Sequence, residues 1–398
     1  MDHQSGLYWI WFSCFPFLRL KTRTDLLTYF NGPEGVFSAG ESELRRFRGL
    51  SADHASLICS TGLDRVERII GDCEKQKIDI LPFDDPRYPF RLKNIYSPPP
   101  VLYVTGVVPA VDEFAVISVI GTRKASQYGL RMGKRLSYEI VRCGGYVVSL
   151  LTAGVDRSAA EGALLAGDRC IGVLGTSHEL EHGPLADEII EKGALISEYA
   201  PGTIQLRSFF RDRNRVAAGL SSGVVVVEAP EMSGTRYFVN EALDQGKDIF
   251  AVPGNADSDK SIGTLDLLKM GARPVGCGWD VLSEYAAVFP DLHYSSDRPD
   301  ALADPSEEVG KAISDAPEKK APGSDPAALI EWKRKTASLS DEQSALVALI
   351  ERGISVIDEL IVMSGLSAHK VLSAVTMLEI KGVIVRDLTG NIKLNKHF

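Results

Sequence analysis

The feature that most constrains the fold is a series of short apolar segments between residues 114 and 285, each followed by a stretch with helical spacing. The segments are apolar at consecutive positions, as strands are when both faces of a sheet are covered. The predicted strands are Val116–Ile120, Tyr146–Ser149, Ile171–Leu174, Leu195–Ser197, Val224–Val227 and Ile249–Val252. The predicted helices between them are Gly129–Cys143, Arg157–Ala166, Leu185–Lys192, Arg213–Leu220 and Tyr237–Gln245. This alternation predicts an α/β fold with a doubly wound, mostly parallel sheet, which binds its ligands at the carboxyl ends of the strands.

The residues before residue 114 fall into two parts. Residues 1–80 carry apolar residues at helical spacing without strand alternation, which predicts a small helical domain. The apolar stretch Leu7–Leu18 is interpreted as a buried helix, because it is about a dozen residues long, contains Pro16 and lacks the flanks of a signal peptide. Residues 81–113 are rich in proline and predict a rigid connector that ends in a short strand, Val101–Val104.

The residues after residue 285 also fall into two parts. Residues 286–335 are rich in Pro, Ala, Ser and Asp, and predict a flexible acidic linker. Residues 336–398 contain three helical segments and a hairpin around Thr389–Gly390, which is the pattern of a winged helix-turn-helix. Its second helix offers only His369 and Lys370 among Ala, Val, Leu and Met. We therefore favour a protein-contact or dimerisation role for this domain over direct reading of DNA.

The charge of the chain does not exclude a nucleic-acid ligand. The formal net charge of −9 argues against one at first, because phosphate binding normally leaves a basic footprint. However, residues 291–325 hold nine Asp and Glu and four Lys and Arg, so much of the acidic excess lies in the predicted linker. The rest of the chain is only mildly acidic, which is compatible with a local basic groove.

Cysteine and histidine patterns indicate neither a disulfide framework nor a metal site. The six cysteines form no C-x-x-C pair, which favours a reducing, cytoplasmic compartment with core packing as their role. His178 and His182 are four residues apart, a spacing that can hold a metal on a helix. The neighbouring Gly175 and Gly183-Pro184 favour a loop instead. We expect no metal, no cofactor and no catalytic residue.

The residues directly after the first predicted strand are suited to bind an anion. Gly121 ends the strand, and Thr122, Arg123 and Lys124 lead to Ser126, which is a predicted cap for the next helix. A helix N-terminus presents backbone N–H groups and a positive dipole end, and the two adjacent cations make phosphate the expected anion. The alternative is an ordinary strand-to-helix turn with exposed basic residues.

Turns after two other strands are expected at the same edge of the sheet. Gly154 permits a tight turn after the second strand, and Asp156 is predicted to cap the helix that follows. Ser233, Gly234 and Thr235 come after the fifth strand and precede another helix start. Because the carboxyl ends of parallel strands meet at one edge, these turns should converge on the first.

The segment Arg207–Arg215, after the fourth strand, holds four arginines, one acid and two adjacent phenylalanines. Arginines clamp phosphate oxygens, and an aromatic ring can stack on an unpaired base. The segment therefore favours a single-stranded nucleic acid over a compact mononucleotide. The alternatives are core packing of the phenylalanines and a solvated face on which the arginines pair with Glu198, Glu228 or Asp212.

These segments together resemble the DprA/Smf family, the DNA-processing proteins of natural transformation. The matching blocks are Pro98–Gly106, Ile120–Ser126, Gly193–Thr203, Arg213–Ser221, Gly223–Ala229, Ser233–Thr235, Phe250–Gly254 and Gly271–Ala272. They occur in the family's order over about 180 residues. The helical front domain and the winged tail fit the same architecture.

The resemblance implies an extended Rossmann-like domain at residues 114–285, preceded by a SAM-like or helix-hairpin-helix-like domain. It also implies a non-enzymatic, cytoplasmic protein that binds single-stranded DNA in a basic groove, forms homodimers and helps to load RecA recombinase during transformation and homologous recombination. The DNA-binding residues expected from the turns and the resemblance together are Gly121, Thr122, Arg123, Lys124, Gly154, Phe210, Arg211, Arg213, Asn214, Arg215, Ser233, Gly234 and Thr235.

The chain departs from the family pattern at several positions. Leu150 replaces the usual glycine after the second strand, Ala160 replaces a histidine, and Arg211 stands where a proline is common. The glycine hairpin expected near Phe15–Leu20 is missing. These changes leave the phosphate-facing set intact, but the side chain of Leu150 would narrow the groove.

Two other functions are carried forward as alternatives. Glu231–Glu241 resembles the P-G-G-x-G-T-x-x-E turn of phosphoribohydrolases on a related fold, with Glu241 as the acid, and would indicate a nucleotide-processing enzyme. The double glycine is absent from this turn, and the glutamate comes two residues late. In the other alternative the winged helix belongs to a transcriptional regulator whose α/β domain is the sensor.

Overall fold

The computed structural model describes residues 3–107, 110–180, 183–296, 339–351, 357–364, 366–381, 383–386 and 392–394. The chain divides into two compact units, residues 1–303 and residues 304–398. The first unit contains the α/β sheet and the front helices, and the second contains the winged helix.

The first unit is organised around a nine-stranded mixed sheet. Its strands are β1 (Asp79–Pro82), β2 (Val101–Gly106), β3 (Val116–Ile120), β4 (Tyr146–Ser149), β5 (Cys170–Val173), β6 (Ala194–Ser197), β7 (Gly223–Val226), β8 (Asp248–Ala251) and β9 (Arg273–Pro274). Their spatial order is β1-β2-β6-β5-β4-β3-β7-β8-β9. The strands from β6 to β9 along this order pair in parallel, whereas β1 with β2 and β2 with β6 pair antiparallel.

Helices cover both faces of the sheet. They are α1 (His3–Ser13), α2 (Leu20–Tyr29), α3 (Pro33–Ser38), α4 (Glu41–Arg46), α5 (Ala52–Ser60), α6 (Asp64–Gln76), α7 (Phe90–Lys93), α8 (Gln127–Arg142), α9 (Val155–Ala166), α10 (Pro184–Lys192), α11 (Phe209–Leu220), α12 (Thr235–Asp244), α13 (Ile262–Lys269) and α14 (Gly278–Leu282). The central strand β3 feeds both layers, because Ile117 and Val119 enter one apolar core while Val116 and Ile120 enter the other. Because successive side chains point to opposite faces and both faces are covered, a strand in this position is apolar at nearly every residue.

The predicted α/β fold is confirmed. The six strands predicted between residues 114 and 285 lie within one residue of β3 to β8. The short strand expected at Val101–Val104 is β2, and the predicted cap Ser126 accepts a hydrogen bond from the Gly129 N–H at 3.1 Å. Strands β1 and β9 were not predicted; they lie at the two edges of the sheet and are only four and two residues long.

The front helices pack directly on the sheet through β2. Val101 and Tyr103 of this strand point into the core of α1 to α6, whereas Leu102 and Val104 point into the α/β core. The Tyr103 hydroxyl lies 2.8 Å from the Ser13 hydroxyl, which ties α1 to the strand. The predicted domain boundaries at residues 80 and 113 stay predictions. The front helices and the α/β core pack against opposite faces of β2.

The predicted linker, residues 286–335, is described only as far as residue 296. Phe289 and Leu292 pack against the core beneath α8, and the His293 N–H donates to the Cys143 carbonyl at 3.1 Å. The remaining residues of the predicted linker lie outside the described residues. None of the helices in the described part of the chain is long and apolar enough to cross a membrane.

The described residues of the second unit form three helices and a two-stranded sheet, the elements of a winged helix. The elements are α15 (Asp341–Glu351), α16 (Ile357–Ser364), α17 (Ala368–Ile380), β10 (Ile384–Arg386) and β11 (Ile392–Leu394). The two strands pair antiparallel, with Ile384 opposite Leu394. The expected turn at Thr389–Gly390 lies outside the described residues.

Candidate nucleic-acid interface

A cleft of about 450 Å³ lies at the carboxyl ends of β3, β4 and β7. The strand order reverses between β3 and β7, so the cleft occupies the topological switch point of the sheet, where open α/β folds bind ligands. The residues that line the cleft are Ile120, Gly121, Thr122, Arg123, Leu150, Thr152, Asp156, Arg207, Phe210, Arg211, Arg213, Asn214, Pro230, Met232, Ser233, Gly234, Thr235, Tyr237 and Phe238.

The turn after β3 forms one wall of the cleft and is held by the end of β7. The Thr122 N–H donates to the Glu228 carbonyl at 2.9 Å, and the Ser126 N–H donates to the Glu228 carboxylate at 2.9 Å. The Ser126 hydroxyl also donates to that carboxylate. Glu228 is therefore committed to the turn rather than to an arginine, and Arg123 is left exposed at the rim.

Gly154 packs against the backbone of this turn and does not line the cleft. Its φ is 84°, and a Cβ there would lie 2.3 Å from the Thr122 carbonyl oxygen. The residue is the N-cap of α9, so the prediction that Asp156 caps this helix is wrong. Asp156 lies in the first turn of α9, and its carboxylate instead accepts a hydrogen bond from the Thr152 hydroxyl.

Helix α11 contributes two of the four arginines in the cleft. Phe210, Arg211, Arg213 and Asn214 line it, while Phe209 is buried and stacks on the Tyr199 ring with centroids 3.8 Å apart. One of the two phenylalanines is therefore core and the other is available to a ligand. The Arg211 guanidinium lies 5.9 Å from the Tyr237 ring centroid, which places an aromatic face at the rim.

Leu150 is part of the cleft wall, as the sequence analysis expected. It is mostly buried, and its carbonyl accepts a hydrogen bond from Arg213 Nη1 at 2.9 Å. The backbone at residue 150 does not need the family's glycine, because the positive φ of this turn, 54°, falls on Leu151. Ala160, the other notable departure, is buried in the core beneath α9 and does not reach the cleft.

The structure brings ten of the expected residues together and places three elsewhere. Gly154 lies behind the turn, and Lys124 is exposed beyond the cleft lining, where its carbonyl accepts a hydrogen bond from Lys260. Arg215 faces the interior, is 2% exposed and pairs with Glu198 at 2.6 Å. This is the acid pairing that the sequence analysis carried as an alternative for the arginines.

The turn before α12 closes the opposite side of the cleft. The Ser233 hydroxyl donates to the Thr235 hydroxyl at 2.8 Å and accepts from the Thr235 N–H at 3.2 Å. These bonds shape the turn so that the start of α12 faces the cleft. A helix N-terminus in this position adds favourable potential for an anion.

The cleft is electropositive. The arginines that line it are Arg123, Arg207, Arg211 and Arg213, and the acid among the lining residues is Asp156. Burial raises the pKa of Asp156 to about 7, although the Thr152 hydroxyl and the nearby Arg213 and Arg123 guanidiniums oppose the shift. Below that pH the carboxyl is neutral and the arginine charge is uncompensated within the cleft.

Arg207, Asp156, Met232 and Tyr237 are among the lining residues that were not expected to bind DNA. Arg207 was noted within its segment, but Asp156 was taken for a cap, and Met232 and Tyr237 had no signal. Both of the latter are strongly exposed apolar side chains at the start of α12. Their position at a helix start after a strand was the available clue.

The histidine pair does not form a metal site in the described residues. His178 is buried, with Nδ1 3.0 Å from the Thr105 hydroxyl and Nε2 2.9 Å from the Tyr103 carbonyl oxygen. Both ring nitrogens therefore have protein partners. No group of three or more metal-binding side chains occurs among the residues that the structure describes, and His182 is not among these residues.

Comparison with known proteins places this chain in a family. Residues 79–286 match the family model of DNA recombination-mediator protein A, and residues 331–387 match the DprA winged helix domain. The DNA processing protein DprA of Bacillus subtilis (strain 168) is 34% identical over 224 residues, which cover 55% of this chain and 75% of that protein. Protein Smf of Escherichia coli (strain K12) is 33% identical over 257 residues, covering 63% and 68% of the two chains.

A solved structure supports the same assignment. The X-ray structure of DNA processing protein A from Streptococcus pneumoniae superposes with a TM-score of 0.59 and 27% identity, covering 73% of this chain and 99% of that one. The family model spans the sheet from β1 to β9 and therefore every residue of the cleft. With its α/β domain and its winged helix both matched, the chain belongs to the DprA/Smf family of DNA recombination-mediator proteins.

Proposed function

We propose that this chain binds single-stranded DNA in the arginine-lined cleft at the switch point of the sheet. The observation that carries the proposal is the convergence of four arginines with a helix N-terminus and two exposed aromatic rings on one concave surface. Arginine is suited to phosphate oxygens because its planar fork donates two hydrogen bonds at once. The cleft as a whole is matched to a phosphodiester with an accessible base.

Two features favour a single strand over a duplex. The aromatic rings of Phe210 and Tyr237 lie at the cleft rim, where they can stack only on a base that is not already paired and stacked. In addition, Leu150 and Met232 line the cleft, whose volume of about 450 Å³ is on the scale of a nucleotide and far too small for a duplex. A duplex would meet only the exposed arginines at the rim.

We further propose that the bound strand is handed to RecA recombinase and that the active form is a homodimer in the cytoplasm. The family to which the chain belongs is described as recombination mediators, which supports the first part. Such a protein must hold the strand firmly enough to displace other proteins yet release it to the recombinase. An open cleft, in which Arg123, Arg207 and Arg211 are exposed and Arg213 is buried in the wall, is compatible with both needs.

The proposal is tested by fluorescence anisotropy with a labelled, unstructured oligonucleotide and the matching duplex. We expect the single strand to bind more tightly, and Arg123→Ala to weaken its binding about tenfold, because hydrogen bonds to charged groups contribute roughly 1.5–3 kcal/mol. Arg68→Ala is the matched control, since Arg68 is an exposed arginine on α6 that pairs with Asp64 outside the cleft. A second readout is ATP hydrolysis by RecA on DNA coated with single-strand-binding protein, which the wild-type chain should accelerate more than Arg123→Ala does.

The salt dependence of the binding affinity provides an independent check of the proposal. Each phosphate neutralised on a single strand contributes a slope of about −0.7 to the plot of log affinity against log salt concentration. Arg123→Ala should therefore make the slope less steep by about that amount, and Arg68→Ala should not. Equal affinities for single strand and duplex, together with no effect of Arg123→Ala, would contradict the proposal.

The phosphoribohydrolase alternative has little support from the cleft. Glu241, its expected acid, accepts a hydrogen bond from the Gln245 side chain at 3.0 Å and is not a lining residue. An acid in that position cannot contact a nucleotide held by the arginines. Release of free base from a nucleoside monophosphate, abolished by Glu241→Gln, would nevertheless establish the enzyme.

A further inference from the structure

A buried ion cluster joins the cleft helix α11 to the front helices without touching the cleft. Arg215 Nη2 donates to both carboxylate oxygens of Glu198 at 2.6 Å, and Arg23 Nη2 lies 2.8 Å from Glu198 Oε1. None of the three side chains is more than 6% exposed. Arg23 comes from α2, Glu198 from the end of β6 and Arg215 from α11, so the cluster links three separate elements.

The two faces of α11 have different tasks. Residues two apart on an α-helix point about 200° away from each other, so Arg213 and Arg215 face opposite sides. Arg213 lines the cleft with Phe210 and Arg211, whereas Arg215 points into the interior toward Glu198. The position of the cleft side chains is therefore set by how the inner face of the helix is held.

The inner face of α11 packs in the α/β core through Val216 and Leu220, and the segment that carries Glu198 holds its first turns. The neighbouring Tyr199 stacks on Phe209 at the start of the helix, with an angle of 12° between the rings. The Gln245 side chain donates to the Arg215 carbonyl at 3.0 Å. Among the described residues, Nε and Nη1 of Arg215 have no hydrogen-bond partner, which leaves Glu198 as the anchor of this guanidinium.

The charges in the cluster depend on one another. Burial alone would raise the pKa of Glu198, but the Arg215 and Arg23 guanidiniums more than offset it and hold that pKa below its usual value. Burial also raises the pKa of Asp212, which lies near the cluster on α11, and Arg215 opposes that shift. Buried charges are tolerated only while they keep their partners, so the loss of one partner forces the others to move.

We propose that Arg23 is a positioning residue for the DNA cleft, through which the front helices set the affinity for single-stranded DNA. In this arrangement the Arg23 guanidinium on α2 holds the Glu198 carboxylate, and this carboxylate holds Arg215. Arg215 in turn fixes the rotation of α11 that presents Arg211 and Arg213 to phosphate. The inference rests on the proposed function for its effect on affinity. Its structural part, the control of α11 by α2, does not.

The central variant is Arg23→Met, which keeps a long side chain but removes the guanidinium. Glu198 and Arg215 remain as a neutral pair, so the chain should still fold. We expect its affinity for a labelled single-stranded oligonucleotide to fall about 2- to 30-fold, the range of measured couplings between sites that do not touch. Arg23→Lys keeps the charge and should recover most of the loss.

The matched control is Leu26→Ala on the same helix. Leu26 is fully buried in the front core and is outside the ion cluster, so this variant weakens the packing of α2 without removing a charge from Glu198. It should lower the overall stability yet leave the affinity unchanged. The wild-type chain, Arg23→Met, Arg23→Lys and Leu26→Ala are compared at one salt concentration.

Amide hydrogen exchange separates the inference from the proposed function. Without DNA, the α11 amides should exchange faster in Arg23→Met than in Leu26→Ala. Because coupling is reciprocal, single-stranded DNA should slow exchange in α2 of the wild-type chain but not of Arg23→Met. Equal α11 exchange in the two variants overturns the inference even if the wild-type chain binds DNA. If the wild-type chain binds no DNA, the proposed function fails, and faster α11 exchange in Arg23→Met still supports the positioning role.

Discussion

Asp156 places a titratable carboxyl among the arginines of the cleft. Its side chain is 3% exposed, and Oδ1 has no hydrogen-bond partner among the described residues. Burial raises its pKa to about 7, while the Thr152 hydroxyl, Arg213, Arg123 and the Gly121 N–H oppose the shift. The carboxyl is therefore neutral in mildly acidic solution and adds a negative charge to the cleft above neutrality.

This titration predicts a pH dependence of stability that Asp156→Asn removes. In the unfolded chain the carboxyl loses its proton near pH 3.8, but in the folded chain it holds the proton up to about pH 7. The folded state binds more protons between these values, so its free energy of unfolding falls as pH rises through them, by an amount on the order of a few kcal/mol. Urea titrations between pH 4 and pH 8 should show a flatter profile for Asp156→Asn.

Protonation of the Asp156 carboxyl should also affect the affinity for DNA. The wild-type chain is expected to bind a single strand more weakly at pH 8 than at pH 6, because the ionised carboxylate repels phosphate. Asp156→Asn should show a smaller change over this range. Parallel affinity profiles for the two chains would mean that the carboxyl does not face the ligand.

At the residue scale, the sequence predicted the arginine-rich segment but not the direction of each side chain. Arg213 and Arg215 look equivalent in an Arg-x-Arg pattern, yet helix geometry separates them and only Arg213 reaches the cleft. The inward direction of the Arg215 side chain depends on Glu198 and Arg23, which are distant in sequence and adjacent only after folding. Local patterns carry no information about such pairings.

At the element scale, the turn after β3 depends on the start of α9. Gly154 has φ 84° and ψ −131°, and a Cβ at this position would lie 2.3 Å from the Thr122 carbonyl oxygen and 2.7 Å from that of Arg123. The Val155 N–H also donates to the Thr122 carbonyl at 3.3 Å. The turn after β3 can therefore pack on α9 only because residue 154 has no side chain.

Gly154→Ala should displace this turn and weaken both folding and DNA binding. The matched control is Gly246→Ala, because Gly246 also has a positive φ, 67°, but has no atom within 4 Å of the added carbon. The control carries only the backbone strain, about 1–2 kcal/mol. Gly154→Ala should lose about 1–3 kcal/mol more, the typical cost of overpacking. Denaturant unfolding measures both losses, and anisotropy should show weaker DNA binding for Gly154→Ala alone. Equal losses in the two variants would contradict this role.

The elements themselves were predictable where their surroundings are uniform. Strands β3 to β8 are covered on both faces by helices, so most of their residues are apolar and polar turns bound them. The edge strands β1 and β9 are four and two residues long, and strands this short show no periodic signal in the sequence. The error at Asp156 arose because an acid near a helix start can be a cap or a first-turn residue.

At the scale of the whole molecule, the cleft belongs entirely to the first unit. Every lining residue lies between residues 120 and 238, within the unit that spans residues 1–303. In the second unit, Lys370 on α17 pairs with Glu342 at 2.9 Å, so its charge is partly neutralised. The exposed apolar side chains there are Met363, Leu372, Met377 and Val385. This surface favours a protein contact over a DNA contact.

A chain that ends at residue 296 should therefore keep the affinity of the full chain for a short single strand, because it retains the whole cleft and loses only the winged-helix unit. The measurement is anisotropy with an oligonucleotide of about ten nucleotides, which is short enough to occupy a single cleft. The exposed apolar side chains of the winged helix suggest that it joins two copies of the chain. In that case a longer strand that reaches two clefts should bind the full chain at least about tenfold more tightly than the shortened chain, because the second cleft is present at a high effective concentration. The control is Lys370→Ala in the full chain, which removes the charge without removing the unit and should leave both affinities unchanged. Weaker binding of the short strand by Lys370→Ala would show that the winged helix contacts DNA directly, and the role assigned to it from its surface would be wrong.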